Sequence, residues 1–206
     1  MRPQVRRLVI ALWAVVVIAV LGLAARVYLS GGGTNPMTAA TGGVTAPAVG
    51  GPFTLVDQTG RAVTDADYRG QWMLIYFGFT YCPDVCPTSL TTMVDALDML
   101  GDAGGKVVPV LITVDPERDT PPQLASYVAA FSPRLIGLTG TPEQVAAVAK
   151  AYRVYYAKAQ PKDGGPYLVD HSSIVYLVDP QGKFRQHFSG HQINAEEMAR
   201  RLREIL

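Results

Sequence analysis

The chain has 206 residues, of which 49% are hydrophobic and 17% are charged, and its formal net charge is +1 at pH 7. Four of the 18 basic residues lie in or beside an apolar N-terminal segment, so the remainder carries 14 basic and 17 acidic residues and a net charge of −3. This balance argues against nucleic acid as a partner.

The apolar segment, residues 8–25, contains no charged residue. Its length is at the short end for a helix that crosses a bilayer. Basic residues are concentrated on its N-terminal side, where Arg2, Arg6 and Arg7 precede it, and one follows it, Arg26. This bias predicts a cytoplasmic N-terminus and an exported remainder. A cleaved signal peptide is the alternative, but the segment is longer than the apolar core of most signal peptides. Residues 1–29 are therefore predicted to be a single-pass anchor in the inner or plasma membrane.

Two further regions follow the predicted anchor. Residues 30–51 are uncharged and rich in Gly, Thr, Ala and Pro, which is typical of a flexible linker. About 155 residues remain, 52–206, enough for one domain of ordinary size.

The first half of this domain begins with a β-hairpin around residues 58–61, followed by a buried strand over 72–77 and a helix from about Pro87 to Gly101. A second buried strand is predicted over 107–114. Helices are then expected to begin after Thr120 and after Thr141, with a short strand at 135–138 between them. Each of these threonines precedes a proline, with a glutamine three residues after the threonine, the pattern of a capping box.

The second half begins with a polar loop, 159–166, which leads to His171. A β-hairpin over 173–188 follows, and Asn194 caps a terminal helix. Alternating strands and helices predict an α/β domain with a mixed sheet flanked by helices on both faces. Cysteines at the end of the first core strand, opening a helix, are typical of a thioredoxin-like fold. The predicted fold is thus thioredoxin-like, with an N-terminal β-hairpin and one N-terminal transmembrane helix.

Cys82 and Cys86 are the only cysteines of the chain. At this spacing their sulfur atoms can close a disulfide or bind one soft metal ion together. A helix N-terminus favours the thiolate, whereas Asp84 between them opposes it. A purely structural disulfide is a further interpretation, but so short a loop would add little stability.

His171 stands at the entry to a strand that is predicted to lie beside the cysteine strand. Its imidazole can then join the two thiolates, a set that suits trigonal Cu(I) or tetragonal Cu(II) completed by water. Thioredoxin-like oxidoreductases usually have a proline at this corner. A structural or solvated histidine is the alternative interpretation. The other histidines, His187 and His191, are predicted to be surface residues.

Asp115 follows the second buried strand in a charged stretch. It is either part of a charged loop with a helix cap, or a carboxylate near the cysteines that supports the ligands or contacts a partner.

Three stretches together strongly resemble the Sco/SenC family. They are YFGFTYCPDVCP at 76–87, VDPERDTP at 114–121 and YLVDHSS at 167–173, and the resemblance extends over about residues 52–206. Members of that family are membrane-anchored, thioredoxin-like copper proteins that assist assembly of the binuclear copper centre in subunit II of cytochrome c oxidase. The resemblance implies that Cys82, Cys86 and His171 bind copper. It also implies that the oxidase subunit is the recipient and that an unidentified protein supplies the metal.

Two other functions stay open at this point. The same cysteines can serve a thiol–disulfide oxidoreductase that reduces the oxidase subunit or another exported protein, with Cys82 and Cys86 as the redox-active pair. A peroxidase is disfavoured, because the cysteines are the only residues that suggest peroxide chemistry. The sequence favours a metallochaperone over an enzyme.

Overall fold

The computed structural model describes residues 13, 16–26, 49–160, 164–190 and 192–206. Two units are distinguished, residues 1–45 and 46–206. In the first unit, residues 13 and 16–26 are helical and exposed. None of the helices in the described ranges is long and apolar enough to cross a membrane. Much of the predicted anchor and nearly all of the predicted linker, up to residue 48, lie outside the described residues, so both remain predictions.

The described part of the second unit contains nine β-strands and four α-helices. The strands are β1 Thr54–Asp57, β2 Ala62–Thr64, β3 Trp72–Gly78, β4 Val107–Thr113, β5 Ile136–Thr139, β6 Tyr156–Ala159, β7 Leu168–His171, β8 Ile174–Val178 and β9 Phe184–Ser189. The helices are α1 Val85–Asp98, α2 Pro121–Ala129, α3 Pro142–Ala151 and α4 Ala195–Arg203.

Seven strands form one mixed sheet in the order β2-β1-β5-β4-β3-β8-β9. The central strands β3, β4 and β5 are parallel, and the outer strands pair antiparallel. β3 lies between β4 and β8, and all of its residues except Trp72 are buried. A strand covered on both faces requires a continuous apolar run, as β3 has. The predicted thioredoxin-like mixed sheet is confirmed.

The predicted N-terminal hairpin is also confirmed as β1 and β2. Its turn is held by Asp57, whose carboxylate accepts hydrogen bonds from the backbone N–H groups of Thr59 and Arg61. Gly60 has a φ of 87°, in the region that favours glycine. Short-range turn chemistry therefore determines this hairpin.

The first core helix, α1, begins two residues earlier than predicted. It starts at Val85 after the N-cap Asp84, so that Pro87 is the third helical residue. Proline is tolerated there because the N–H groups of the first turn have no partner within the helix. α1 ends at Asp98, and a short 3₁₀ turn, Gly101–Lys106, leads into β4.

The two predicted capping boxes have different outcomes. At α3, the Gln144 N–H donates to the Thr141 hydroxyl and the Thr141 N–H donates to the Gln144 side chain. Thr120 is the N-cap of α2, but its side chain makes no capping bond in the described structure. The Gln123 amide instead donates to Thr80 Oγ1 at 3.1 Å. The capping-box prediction at Thr120 is wrong, because the side chain of Gln123 bonds to Thr80, next to the cysteine loop, and not to the backbone of Thr120.

A separate two-stranded sheet, β6 and β7, was not expected from the sequence, which predicts a loop from residue 159. The strands are antiparallel, with Tyr156 opposite His171 and Ala159 opposite Leu168. His171 is therefore the last residue of a strand in this small sheet, and β8 of the main sheet begins three residues later. His187 is exposed on β9, as predicted. His191 lies outside the described residues.

Candidate metal centre

Two cysteines and one distant histidine come together at one end of the second unit. Sγ of Cys82, Sγ of Cys86 and a ring nitrogen of His171 all lie within 4.8 Å of one another. Cys86 Sγ is 3.3 Å from His171 Nε2. Cys86 is fully buried, whereas Cys82 and His171 are half-buried. The three donor atoms therefore form one cluster that solvent reaches from the side of Cys82 and His171.

The end of β3 and the start of α1 place the two cysteines. In the intervening loop the Cys82 N–H donates to the Phe79 carbonyl at 3.3 Å, and Cys86 lies in the first turn of α1. The backbone N–H of Cys86 donates to Cys82 Sγ at 3.4 Å. This sulfur, and not the side chain of the N-cap Asp84, accepts an N–H group that the first helical turn leaves free.

The clustered side chains change one another's acidity. The hydrogen bond from the Cys86 side chain lowers the pKa of Cys82 to about 4, and His171 and nearby backbone N–H groups assist it against the opposing effect of partial burial. The contact with Cys82, together with burial, raises the pKa of Cys86. In the reduced, metal-free protein at neutral pH, Cys82 is a thiolate and Cys86 keeps its proton. A thiolate is the form that attacks disulfides and binds metal ions.

Three neighbours fix the orientation of the His171 ring. Nδ1 lies 3.2 Å from the carbonyl oxygen of Ser172. Because a carbonyl only accepts hydrogen bonds, Nδ1 donates in this contact, and Nε2 is the ring nitrogen that faces the cysteines. The rings of Tyr76 and Phe79 contact the imidazole edge-on, with centroids 6.0 and 5.8 Å away. Contacts of this kind hold a metal-binding histidine in one tautomer.

Gly78, at the end of β3, leaves room for the buried thiol. A Cβ atom at this position would lie 3.0 Å from Cys86 Sγ and 2.8 Å from a ring carbon of Tyr76. Close-packed interiors do not absorb such approaches without displacement of a neighbour. The apolar run predicts that Gly78 is buried, but the sequence carries no signal for this contact with a cysteine 8 residues away.

Asp115 lies outside the three-residue cluster. Its side chain is buried, and its carboxylate accepts hydrogen bonds from the Arg118 guanidinium and from the Tyr167 hydroxyl at 2.9 Å. Asp115 lies in a charged loop before α2, as one interpretation has it, but a fully buried carboxylate cannot contact a partner directly. The structure places Asp115 beside the segment that leads to His171.

A second carboxylate, Asp119, holds the cysteine loop and was not recognised from the sequence. It is fully buried and accepts from the Thr80 N–H at 3.0 Å, the Thr80 hydroxyl at 2.6 Å and the Thr113 hydroxyl at 2.6 Å. Burial raises the pKa of Asp119. Its position just before a helix indicates only a capping role, whereas its partner Thr80 is 39 residues away.

The arrangement can do two kinds of chemistry. Neither Cys82 nor Cys86 is in a disulfide, and their sulfurs are close enough to form one after modest movement. Two sulfurs with one imidazole also form a donor set that favours soft metal ions over hard ones such as Mg²⁺ or Ca²⁺. The fold and the site together define a thioredoxin-like protein with a candidate dithiol–imidazole metal centre.

The chain belongs to the SCO1/SenC family, because the model of that family matches residues 42–206. The mitochondrial SCO1 homolog of Homo sapiens is 48% identical over 152 residues, which are 73% of this chain and 50% of that protein. The chain thus spans about half the length of this curated relative.

Solved structures agree with this membership. The crystal structure of Arabidopsis thaliana ScoI with copper bound matches with a TM-score of 0.72 and 44% identity, and covers 77% of this chain and 98% of that one. BsSco, a member of the Sco family of cytochrome c oxidase assembly proteins in which a disulfide switch was identified, matches with a TM-score of 0.59 and 25% identity. That match covers 77% of this chain and 94% of BsSco. Both chemistries that the geometry allows are thus represented among similar proteins.

Proposed function

We propose that the protein is a membrane-anchored copper chaperone. It holds one copper ion, Cu(I) or Cu(II), through Cys82, Cys86 and His171, and it assists assembly of the binuclear copper centre in subunit II of cytochrome c oxidase. The observation that carries this proposal is the convergence of the three donor atoms within 4.8 Å. The copper named for the similar Arabidopsis structure and the oxidase assembly named for the family of BsSco support it.

The acid–base states of the three side chains suit uptake of a metal ion. Cys82 is already a thiolate, so it can bind first, and Nε2 of His171 already lies next to the sulfurs, 3.3 Å from Cys86 Sγ. Cys86 must lose its proton when it binds, because metal ions bind thiolates and release protons. Copper affinity is therefore expected to increase with pH.

Uneven burial of the ligands suits transfer of the metal ion. Cys86 is inaccessible, whereas Cys82 and His171 are half-exposed. A recipient's ligands can replace these two first, while Cys86 still holds the ion. The buried sulfur thus prevents loss to water, and the exposed pair permits exchange with a protein.

The predicted topology completes the proposal. Residues 1–29 hold the protein in the membrane with the N-terminus in the cytoplasm, and residues 30–51 serve as a linker. Residues 52–206 form the copper-binding domain on the exported side. A linker of this composition behaves as a flexible coil, so the domain can reach both a copper donor and the oxidase subunit.

Copper titration of the full chain in detergent, reduced and anaerobic, tests the ligand assignment. The wild type is expected to bind one Cu(I) tightly. His171→Ala removes a ligand itself, so it is expected to weaken binding by more than about tenfold, the lower end of the loss when only a residue that supports a ligand is removed. His187→Ala is the matched control, because His187 is exposed on β9. An affinity that is unchanged in His171→Ala would exclude the histidine as a ligand.

A second candidate function is thiol–disulfide exchange, and the lowered pKa of Cys82 favours it. The Cys82 thiolate would attack a disulfide of the target and release one target thiolate, which takes up a proton. Cys86 would then lose its proton and displace the second target sulfur. This step forms the Cys82–Cys86 disulfide and leaves the target with two reduced cysteines.

His171→Ala separates the two functions, because exchange needs only the two sulfur atoms. Under the copper proposal, this variant loses metal transfer to an apo oxidase fragment but still reduces a disulfide peptide. A wild type that binds no copper and still reduces the peptide would establish the oxidoreductase instead.

A further inference from the structure

Arg118 contacts both halves of the candidate metal centre. Its guanidinium carbon lies 3.7 Å from the ring centroid of Tyr167 and 4.7 Å from that of Tyr81. Tyr81 directly precedes Cys82, and Tyr167 precedes His171 by four residues. One side chain thus connects the cysteine loop with the segment that carries the histidine.

Hydrogen bonds fix Arg118 on the histidine side. Its Nε donates to the Asp115 carboxylate, and its Nη1 donates to the Tyr167 carbonyl at 2.9 Å. The Tyr167 hydroxyl donates to the other oxygen of Asp115 at 2.9 Å. The three residues therefore form a closed ring of hydrogen bonds. The planar fork of arginine makes this possible, whereas lysine has neither the fork nor the flat stacking face.

The loop between β4 and α2, which carries Arg118, makes a second contact with the cysteine segment besides that of Arg118 with Tyr81. Asp119 follows Arg118 directly and accepts two hydrogen bonds from Thr80, two residues before Cys82. The loop therefore contacts both segments that carry ligands: Arg118 and Asp119 contact the cysteine segment, and Arg118 contacts the histidine segment. Both carboxylates are buried, so salt and water screen these contacts less than they screen surface ion pairs.

We infer that Arg118 is a positioning residue that sets the separation between Cys82 and His171 and thereby the affinity for the metal ion. The inference rests on the proposed function. His171 ends a strand of the small β6–β7 sheet, whereas Cys82 follows a strand of the main sheet, so main-sheet pairing alone does not fix the imidazole relative to the sulfurs. Arg118 makes this connection through side chains.

The test is a double-mutant cycle on the full chain, with Cu(I) affinity measured by competition with a chromophoric chelator. Arg118→Met keeps a long apolar side chain but removes the fork, and it is expected to weaken Cu(I) binding by about tenfold. If Arg118 acts through His171, Arg118→Met has no further effect in a His171→Ala background. Equal losses in both backgrounds would overturn the inference.

Arg134→Met is the matched control. Arg134 also donates to backbone carbonyls, those of Gly104 and Val107, but it lies in a part of the domain away from the cysteines. It is expected to leave Cu(I) affinity within about twofold of the wild type, because distant sites act independently. An equal loss in this control would show a general effect on folding and would overturn the inference.

A milder variant and a metal-free measurement cover the case in which Arg118→Met folds poorly. Tyr167→Phe removes only the hydroxyl bond to Asp115 and is expected to weaken binding by a smaller factor. In metal-free protein, the amide of Ser172, which follows His171 and donates to the Tyr155 carbonyl at 2.9 Å, is expected to exchange its hydrogen about tenfold faster in Arg118→Met than in the wild type. Unchanged exchange would overturn the inference. A wild type that binds no Cu(I) would instead contradict the proposed function, while the exchange measurement would still report on Arg118.

Discussion

The sulfur of Cys86 and Nε2 of His171 are 3.3 Å apart although 85 residues separate them in the chain. The sulfur belongs to the first turn of α1 and the nitrogen to the last residue of a strand outside the main sheet. Contacts between two such elements depend on several supporting residues, and each of these can be tested.

The lowered pKa of Cys82 predicts an unusual dependence of its alkylation rate on pH. In reduced, metal-free protein, the alkylation rate of Cys82 is expected to stay nearly constant from about pH 8 to about pH 5, because the thiolate fraction stays high. The rate should then decrease through about pH 4, the pKa that the Cys86 hydrogen bond sets. Mass spectrometry of peptides alkylated over short times measures this profile. Protein unfolded in urea is the control. As the pH is lowered, its alkylation rate should already decrease well above pH 7, as that of an ordinary thiol does. If the alkylation rate of the folded protein also decreased well above pH 7, Cys82 would not have a lowered pKa.

Gly78→Ala is expected to destabilise the domain and to weaken the metal site together. The added Cβ would meet Cys86 Sγ at 3.0 Å and the Tyr76 ring at 2.8 Å. Overpacking of this kind costs about 1–3 kcal/mol in the free energy of unfolding, which urea titration measures. Gly105→Ala is the control, because a Cβ there meets nothing within 4 Å in the described structure and should change stability by less than about 0.5 kcal/mol. Equal stabilities of the two variants would show that the neighbours of Gly78 move aside freely.

Asp119→Ala is expected to lower the free energy of unfolding by about 2 kcal/mol, because it leaves the buried hydroxyl of Thr113 and the half-buried donors of Thr80 without their acceptor. Chemical denaturation measures this loss. Asp95→Ala, on the exposed side of α1, is the control and should have little effect. Copper binding should also weaken in Asp119→Ala, since Thr80 is two residues from Cys82. A variant as stable as the wild type would mean that water satisfies these donors.

The two threonine caps provide a matched pair. Thr141→Ala removes a side chain that accepts the Gln144 N–H and is expected to cost about 1 kcal/mol of stability. Thr120→Ala removes an N-cap side chain that makes no capping bond in the described structure, so its cost should be smaller. Thermal denaturation of both variants gives the difference. A larger loss in Thr120→Ala would contradict the observed capping pattern.

Local signals in the sequence predicted much of the main sheet. β3 and β4 are continuous apolar runs, as parallel central strands require, and the turn between β8 and β9 has a strong proline and glycine signal. Cys82 and Cys86 could be proposed as metal ligands because few residue types bind soft metals and the chain has only two cysteines, whereas the choice of His171 as a ligand depended on the resemblance to a family. These features depend on composition and short-range pattern.

Features that depend on long-range contacts could not be predicted. β6 is only Tyr156–Ala159 and is partly exposed, so no alternation distinguishes it from a loop. The Gln123 amide was expected to cap its own helix, but it bonds to Thr80, which is 43 residues away. The stacking of Arg118 on Tyr167 likewise joins segments 49 residues apart. Such contacts exist only once the tertiary structure has formed.

The pairing of β3 with β8 also defines the end of the sheet that lies away from the candidate metal centre. Tyr76 lies opposite Val175 near the candidate metal centre, and Met73 lies opposite Val178 toward the other end of the strand. The turn that follows β8 contains the exposed Gln181, and it lies one strand length, roughly 17 Å, from the end of β3 that carries the cysteine loop. Spectroscopic labels usually need a cysteine, but both native cysteines belong to the candidate centre. A reporter amino acid placed at Gln181 by codon expansion would leave both thiols untouched. It would report binding of the proposed recipient from a position outside the candidate centre.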